Sequence, residues 1–310
     1  MEVVSFFSGI GGLDKGFTDC GYNVIWANDF DKYAVETYKN NYNNKIVLGD
    51  INDIRLDDIP DCDVLIGGFP CQPFSMMGEK KGFEDARGTL FFRIAEILQD
   101  KINRGKKPKA VVLENVRNLK THDGGRTYAT IERILSEVLG YKVFTTILNS
   151  ADYGVPQTRN RTYIVCFSSA DIEYEFPTKV PLESTLQDLL EENVADKYFL
   201  SDRIIPTILS NGTGGYNAKS EIDLKIARPL CATMGKMHRA GQDNYVTQDG
   251  RIRRLTPREC ARLQGFDDSF VIPVSDAQAY KQFGNAVTVN VSRAVAESIK
   301  ASLINAGLWV

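Results

Sequence analysis

Four residues in this chain combine a reactive type with a position that would expose it. Cys71 lies in "GGFPCQPFS", between Pro70 and Pro73 and just past the apolar run Val64-Leu65-Ile66. The prolines restrict φ and hold a side chain rigidly at the end of a strand. A thiol there can serve packing, a metal or nucleophilic chemistry, and the last needs surroundings that favour the thiolate. Glu114 ends the apolar strand "AVVLEN", where burial raises a carboxyl pKa and lets it hold or donate a proton. Arg159 and Arg161 in "QTRNRTYIV" sit two apart, so an extended strand projects both from one face. Two guanidiniums on one spot can bind an anion or a developing negative charge, although such a pair alone is more often a surface salt-bridge set.

A second group suits a ligand. "FSGIGGLDKGF" places Gly9 and Gly11 between a first strand and a helix, where backbone can approach a ligand closely. The dinucleotide fingerprint needs a glycine at position 14, which is Asp14, so that motif fails. Asp29 ends the next strand and can accept from ribose hydroxyls; Asp50, after the third, can meet an adenine amino group. Three such strand ends fit a nucleoside without a pyrophosphate, although a plain tight turn with surface acids reads the same way.

These residues need a scaffold of alternating strands and helices. Val3–Phe7, Val24–Ala27, Ile46–Leu48, Val64–Ile66, Ala110–Leu113, Lys142–Leu148 and Thr162–Phe167 read as strands, with helices through Cys20, over Lys32–Asn41 and over Ile131–Leu139. That alternation predicts βαβ units and a largely parallel sheet. From about Ser168 the pattern changes, and "SNGTGGYNAK" and "MGKMHRAGQDN" read as loops. Regular structure returns at "TPRECARLQGF", with Thr256 as N-cap, Pro257 in the first turn and Gly265 as stop, and then a C-terminal amphipathic helix.

Composition sets the remaining bounds. At 310 residues, with 43% hydrophobic and 25% charged content, the chain can bury a large core and a smaller one. No apolar run approaches membrane-spanning length and no basic leader precedes the first strand, so a cytoplasmic protein is expected. The six cysteines form no C-x-x-C pair and there are two histidines, which argues against a metal site. Net charge is −3, yet residues 225–262 hold nine Lys/Arg against three acids, a local patch that can meet a polyanion.

Taken in order, "FSGIGGLDKGF", "NDFDKYA", "GDI", "GGFPCQPFS", "LENV", "QTRNRTYIV", "RRLTPRECARLQGF" and "YKQFGNAVTVNV" resemble the bacterial cytosine-C5 DNA methyltransferases over nearly the whole chain. The resemblance implies an α/β fold: the Rossmann-like mixed sheet of S-adenosylmethionine-dependent methyltransferases, helices on both faces, plus a smaller target-recognition domain. It implies a catalytic and cofactor domain at 1–178, completed by 276–310, and recognition at 179–275. Cys71 would attack C6 of a cytosine flipped from duplex DNA, and Glu114 would bond N3 and the exocyclic amine. Arg159 and Arg161 would orient the base or the Cys71 loop. Phe6, Gly9, Gly11, Asp29, Phe30, Asp50, Ile51, Pro70, Asn285 and Val287 would surround S-adenosylmethionine. The ribose-binding acid is commonly Glu in this family; here it is the shorter Asp29. Residues 72–90 would form a closing loop, and Gln72, Ser75, Arg87, Gly215, Tyr216, Lys236, Arg239 and Arg254 would contact DNA. No metal is implied. The expected protein is a monomer that methylates a short sequence, paired with a restriction endonuclease. An RNA-acting branch sharing the Pro-Cys and Glu-Asn-Val motifs is the alternative; a silent DNA-binding module has no need of the nucleophile.

Overall fold

The computed structural model describes residues 1–70, 90–210, 220–239 and 241–309. Two compact units make up the chain. The first comprises Met1–Leu148, Asn160–Thr178 and Ser292–Val310; the second comprises Asn149–Arg159 and Lys179–Val291.

The first unit is built on a seven-stranded sheet. Its strands are β1 (Glu2–Phe6), β2 (Asn23–Asp29), β3 (Lys45–Leu48), β4 (Val64–Gly68), β5 (Ala110–Val116), β6 (Lys142–Asn149) and β7 (Asn160–Phe167), in the order β3-β2-β1-β4-β5-β7-β6. β1 to β5 run parallel and β7 pairs antiparallel with β5, which makes the sheet mixed, as expected. Central strands covered on both faces read as unbroken apolar runs, and Val64-Leu65-Ile66 and Ala110-Val111-Val112-Leu113 are fully buried.

Helices α1 (Gly12–Asp19), α2 (Lys32–Asn41), α3 (Leu90–Asn103) and α4 (Arg126–Arg133) connect these strands. Asp31 caps α2 by accepting from the Tyr33 and Ala34 amides. α3 buries Phe91, Ile94, Ala95, Ile97 and Leu98 in one cluster with Val4, Leu65, Val111 and Ile164. Each such Phe, Ile, Leu or Val side chain contributes about 1.5–3 kcal/mol on leaving water.

The order β3-β2-β1-β4-β5 has its reversal between β1 and β4. Chains leaving these two adjacent strands diverge to opposite sides, opening a crevice at their carboxyl ends. The glycine turn follows β1, and the Phe69-Pro70-Cys71 stretch follows β4.

The second unit carries α5 (Ile205–Leu209), the hairpin β8 (Tyr245–Gln248) and β9 (Arg251–Arg254), α6 (Pro257–Arg262) and α7 (Asp276–Asn285). Asp249 and Gly250, both at positive φ, supply the tight turn that a two-residue hairpin requires. Thr256 forms a capping box with Glu259, and Gly265 takes φ 80° after α6, as the sequence predicts. Residues 149–159 and 276–291 group with this unit, whereas the sequence reading placed them in the catalytic domain. Gln157 and Arg159 explain the shift, because they bond to the backbone at Leu230, Leu263, Gly284 and Ala286. The last helix, α8 (Val289–Asn305), contributes Ser292 onward to the first unit, where Ser292 Oγ donates to the Leu13 carbonyl at 2.6 Å.

Candidate active site

The turn after β1 has an unusual backbone. Phe7, Gly9 and Gly11 all take positive φ, at 54°, 55° and 82°. A phenylalanine there is strained and persists only where its surroundings fix it. Asp29 is one such restraint, accepting from the Gly9 amide through Oδ2 and the Asp31 amide through Oδ1, both at 2.8 Å. Burial pushes its carboxyl pKa up, while these amide bonds pull the other way. With the Phe30 amide also contributing, these bonds still leave the carboxylate some capacity for another donor.

Around Asp29 the strand ends are open. Phe30 is 71% exposed, a large aromatic face held in water, and Leu48 is 51% exposed. A Cβ added at Gly9 or Gly49 would meet nothing within 4 Å. Asp50 is exposed and uses Oδ1 to accept from the Asn52 amide and side chain at 2.9 Å.

Three expected ligand contacts sit differently. Phe6 is fully buried, its ring edge-on to Trp26 at 5.6 Å, so the aromatic side chain nearest the turn's surface is Phe7. Ile51 is buried, and its carbonyl accepts from Arg93 Nε at 3.2 Å. Gly11 answers to an internal neighbour. A Cβ there would lie 2.4 Å from the Tyr42 ring, whose hydroxyl donates to the Gly11 carbonyl at 3.0 Å.

The other wall belongs to β4 and β5. Gly68 lies in register with Glu114, which is 8% exposed. Across the antiparallel pair, Arg161 Nε sits 3.1 Å from Glu114 Oε1, and Arg161 Nη1 donates to the Asn160 carbonyl. Asn115, which sequence reasoning did not single out, is 2% exposed. Its Nδ2 donates to the Phe69 carbonyl at 2.7 Å, and its Oδ1 accepts from the Val116 amide at 2.8 Å. It therefore fixes the backbone two residues ahead of Cys71. The signal for it in "LENV" is an amide directly after the carboxylate at a strand end. Asn115→Ala is expected to lower kcat about 10–100-fold while leaving the cofactor Kd within threefold, because it frees the Phe69 carbonyl of a buried bond worth ~1–3 kcal/mol. Steady-state kinetics with a parallel cofactor titration checks this, and an unchanged kcat counts against it.

Cys71, Gln72, Ser75, Arg87, Gly215 and Tyr216, and all but the last residue of the expected closing loop 72–90, lie outside the described residues. Among the other five cysteines, burial raises the thiol pKa of Cys20 to about 11 and of Cys62 to about 12, and pushes Cys166 and Cys260 up as well. Those four stay protonated and unreactive at neutral pH.

The second unit holds the remaining candidates. Arg159 is 1% exposed, and its guanidinium donates to the carbonyls of Leu230, Gly284 and Ala286 at 2.9–3.0 Å. It clamps these backbone segments from a buried position, whereas the sequence expectation has it orient the base or the Cys71 loop together with Arg161. Asn285 ends α7 exposed, and Val287 follows half-buried. Arg239 is tied to Asp243 by an ion pair at 3.0 Å and an amide bond at 2.9 Å, which closes its loop. Arg254 Nη2 lies 2.8 Å from His238 Nε2. Burial and the Arg254 charge lower the His238 pKa, so a neutral imidazole accepts that bond. Lys236 is exposed.

Comparison with known proteins decides what this arrangement is. The family described as C-5 cytosine-specific DNA methylase matches residues 1–301. The chain belongs to that family. Type II methyltransferase M.NlaX of Neisseria lactamica is 43% identical over 98% of this chain and 97% of its own length. Type II methyltransferase M.HhaI of Haemophilus parahaemolyticus is 38% identical over 98% and 95%. Among solved structures, the Entamoeba histolytica methyltransferase EhMeth superposes with a TM-score of 0.80, covering 98% of each chain at 22% identity, which establishes the shared fold. As a C-5 cytosine-specific DNA methylase, the chain is an enzyme, a DNA (cytosine-5-)-methyltransferase. Membership also implies dependence on S-adenosylmethionine. The first unit fits such a molecule: open backbone at Gly9 and Gly49, an exposed ring at Phe30 and an acid at Asp29 with acceptor capacity left.

Proposed function

We propose that this enzyme flips a cytosine from duplex DNA and methylates C5 through a covalent Cys71–C6 adduct, within a short specific sequence. The observation that carries the reading is the Glu114–Arg161 pair at the end of β5, in register with Gly68 at the end of the strand that leads to Cys71. C5 of cytosine is a poor nucleophile. Addition of the Cys71 thiolate at C6 turns it into an enamine carbon, and Glu114 holds N3 and the exocyclic amine as electron density moves into the ring. Arg161 orients Glu114 through the 3.1 Å contact and presents positive charge to the base. S-adenosylmethionine supplies an electrophilic methyl on sulfur. A base then takes the C5 proton, Cys71 is eliminated and the ring regains aromaticity. C6 is unreachable in a stacked duplex, so the base must leave the helix.

For the cofactor, Phe30 offers a stacking face, Asp29 accepts from ribose hydroxyls and Asp50 meets the adenine amino group. Gly9 leaves room for backbone approach. Pro70 and the Asn285–Val287 turn are further candidate contacts, and Phe7 takes the place first given to Phe6. Lys236 and Arg254 are the described cations best suited to phosphates, which supply most of the affinity for DNA. The relatives named as Type II methyltransferases support pairing with a restriction endonuclease. Among the described residues no helix is long and apolar enough to cross a membrane, and a cytoplasmic site of action suits a DNA-modifying enzyme.

Duplex DNA carrying 5-fluorocytosine tests the mechanism, because fluorine cannot leave C5 as a proton does. A denaturant-resistant protein–DNA complex that forms only with S-adenosylmethionine is expected. Trapping on 5-fluorocytosine tRNA and not on duplex would transfer the reading to an RNA substrate, and no trapping on either would end the covalent mechanism.

A further inference from the structure

Beneath the turn after β1, several polar groups converge on one carboxylate to which the reaction above assigns no part. Asp14, in the first turn of α1, is fully buried. Its Oδ1 accepts from Ser5 Oγ and its Oδ2 from the Tyr38 hydroxyl, each at 2.6 Å. Ser5 spends its proton on Asp14, so it accepts from Ser8 Oγ at 2.9 Å. Tyr38 likewise accepts from Asn44 Nδ2 at 3.0 Å. The Tyr38 ring packs on Tyr42 with centroids 4.5 Å apart, and Tyr42 donates to the Gly11 carbonyl. One carboxylate is thus linked to both ends of the turn, to Ser8 through Ser5 and to Gly11 through Tyr38 and Tyr42. Gly9 lies between those ends at positive φ, and Phe7, also at positive φ, directly precedes them.

We infer that Asp14 is a positioning residue, whose carboxylate holds the Ser8–Gly11 turn in the shape that receives S-adenosylmethionine by way of Ser5–Ser8 on one side and Tyr38–Tyr42 on the other. The inference rests on the reading of this turn as the cofactor seat. Its chemistry is specific to an acceptor. Both inner hydroxyls donate to Asp14, and an amide in its place would turn one of its two acceptors into a donor. The charge is also held at a cost. Burial raises the Asp14 pKa to about 6, and Asp29 at the end of β2 adds repulsion, while Ser5 from β1 and Tyr38 from α2 lower it. The folded state therefore binds this proton more tightly than the unfolded chain. The stability Asp14 contributes is present at low pH and is lost as pH rises through about 6. A group kept for stability alone would not be expected to run in that direction.

The test is Asp14→Asn, measured by calorimetric titration with S-adenosylmethionine and by thermal melting of the ligand-free protein at pH 8. The Kd is expected to rise about tenfold or more, as for loss of a hydrogen bond to a charged group. The melting temperature is expected to equal or exceed that of the wild type, and kcat at saturating cofactor to stay within about threefold. Ser5→Ala and Tyr38→Phe each cut one arm and should give smaller rises in Kd. A wild-type protein that does not bind S-adenosylmethionine would remove the cofactor-seat reading itself. Wild-type binding with an unchanged Kd in Asp14→Asn, or a melting temperature that falls along with affinity, would overturn the positioning role. Should Asp14→Asn fail to fold, unchanged Kd values in both Ser5→Ala and Tyr38→Phe would overturn it as well.

Discussion

Replacing Cys71 by serine is expected to lower methyl transfer by about 10⁴-fold or more, while binding of S-adenosylmethionine and of duplex DNA stays within severalfold. A serine hydroxyl ionises far less readily than a thiol and is a much poorer nucleophile toward C6, so the enamine never forms. Glu114→Gln should cost roughly 10²–10⁴-fold, because the amide cannot hold the ring's proton as the carboxyl does and loses its charge opposite Arg161. In the proposed mechanism the two residues act on one ring in one step. Their effects are therefore not additive, and the double variant should be no slower than Cys71→Ser alone. Single-turnover transfer of a labelled methyl group to duplex DNA measures all three. Turnover by Cys71→Ser within tenfold of wild type, or a double variant slowed by the product of the single losses, would show that the groups work in separate events.

The largest effect on stability is expected at Glu259. This residue and Arg253 are both fully buried and meet through two bonds, Nη1 to Oε2 at 2.8 Å and Nη2 to Oε1 at 2.7 Å. Glu259 also accepts from the Thr256 amide at 2.8 Å and the Glu191 amide at 2.9 Å, and Arg253 Nε donates to Gln248 Oε1 at 2.6 Å. The pair thereby joins the β8–β9 hairpin to the start of α6. Glu259→Ala strands a guanidinium without its counter-charge and should destabilise the protein by about 3–5 kcal/mol in urea unfolding. The double change Arg253→Met with Glu259→Leu leaves no stranded charge and should cost less than Glu259→Ala. A loss under ~1 kcal/mol for Glu259→Ala would mean that water reaches the arginine.

How far the sequence foretells this molecule depends on where each residue's partners lie. The parallel strands of the first unit are legible because burial on both faces leaves continuous apolar runs such as Val111–Leu113. Glu114 is legible because an acid that ends such a run has few places to go. α3 is not legible, since its apolar face begins directly after a glycine-bearing stretch that reads as a loop. The β8–β9 hairpin is hard to read although Asp249-Gly250 is a strong turn signal, because only one short strand flanks it on each side. Arg159 and Arg161 look alike in an extended stretch. What separates them is a set of carbonyls 71 to 127 residues away, which no local spacing encodes. Phe6 and Phe7 are adjacent, and which ring enters the core is settled by the positive φ of Phe7.

The bond from Asn115 to the Phe69 carbonyl has a consequence for precision. The acid proposed to grip the base and the amide that anchors the lead-in to the proposed nucleophile are consecutive residues on one strand end. Thermal breathing that shifts or tilts β5 carries both together, so the displacement cancels from the separation that matters. Under the proposed mechanism a motionless sheet would not be needed, because the Phe69 backbone ahead of Cys71 is held by the residue next to Glu114.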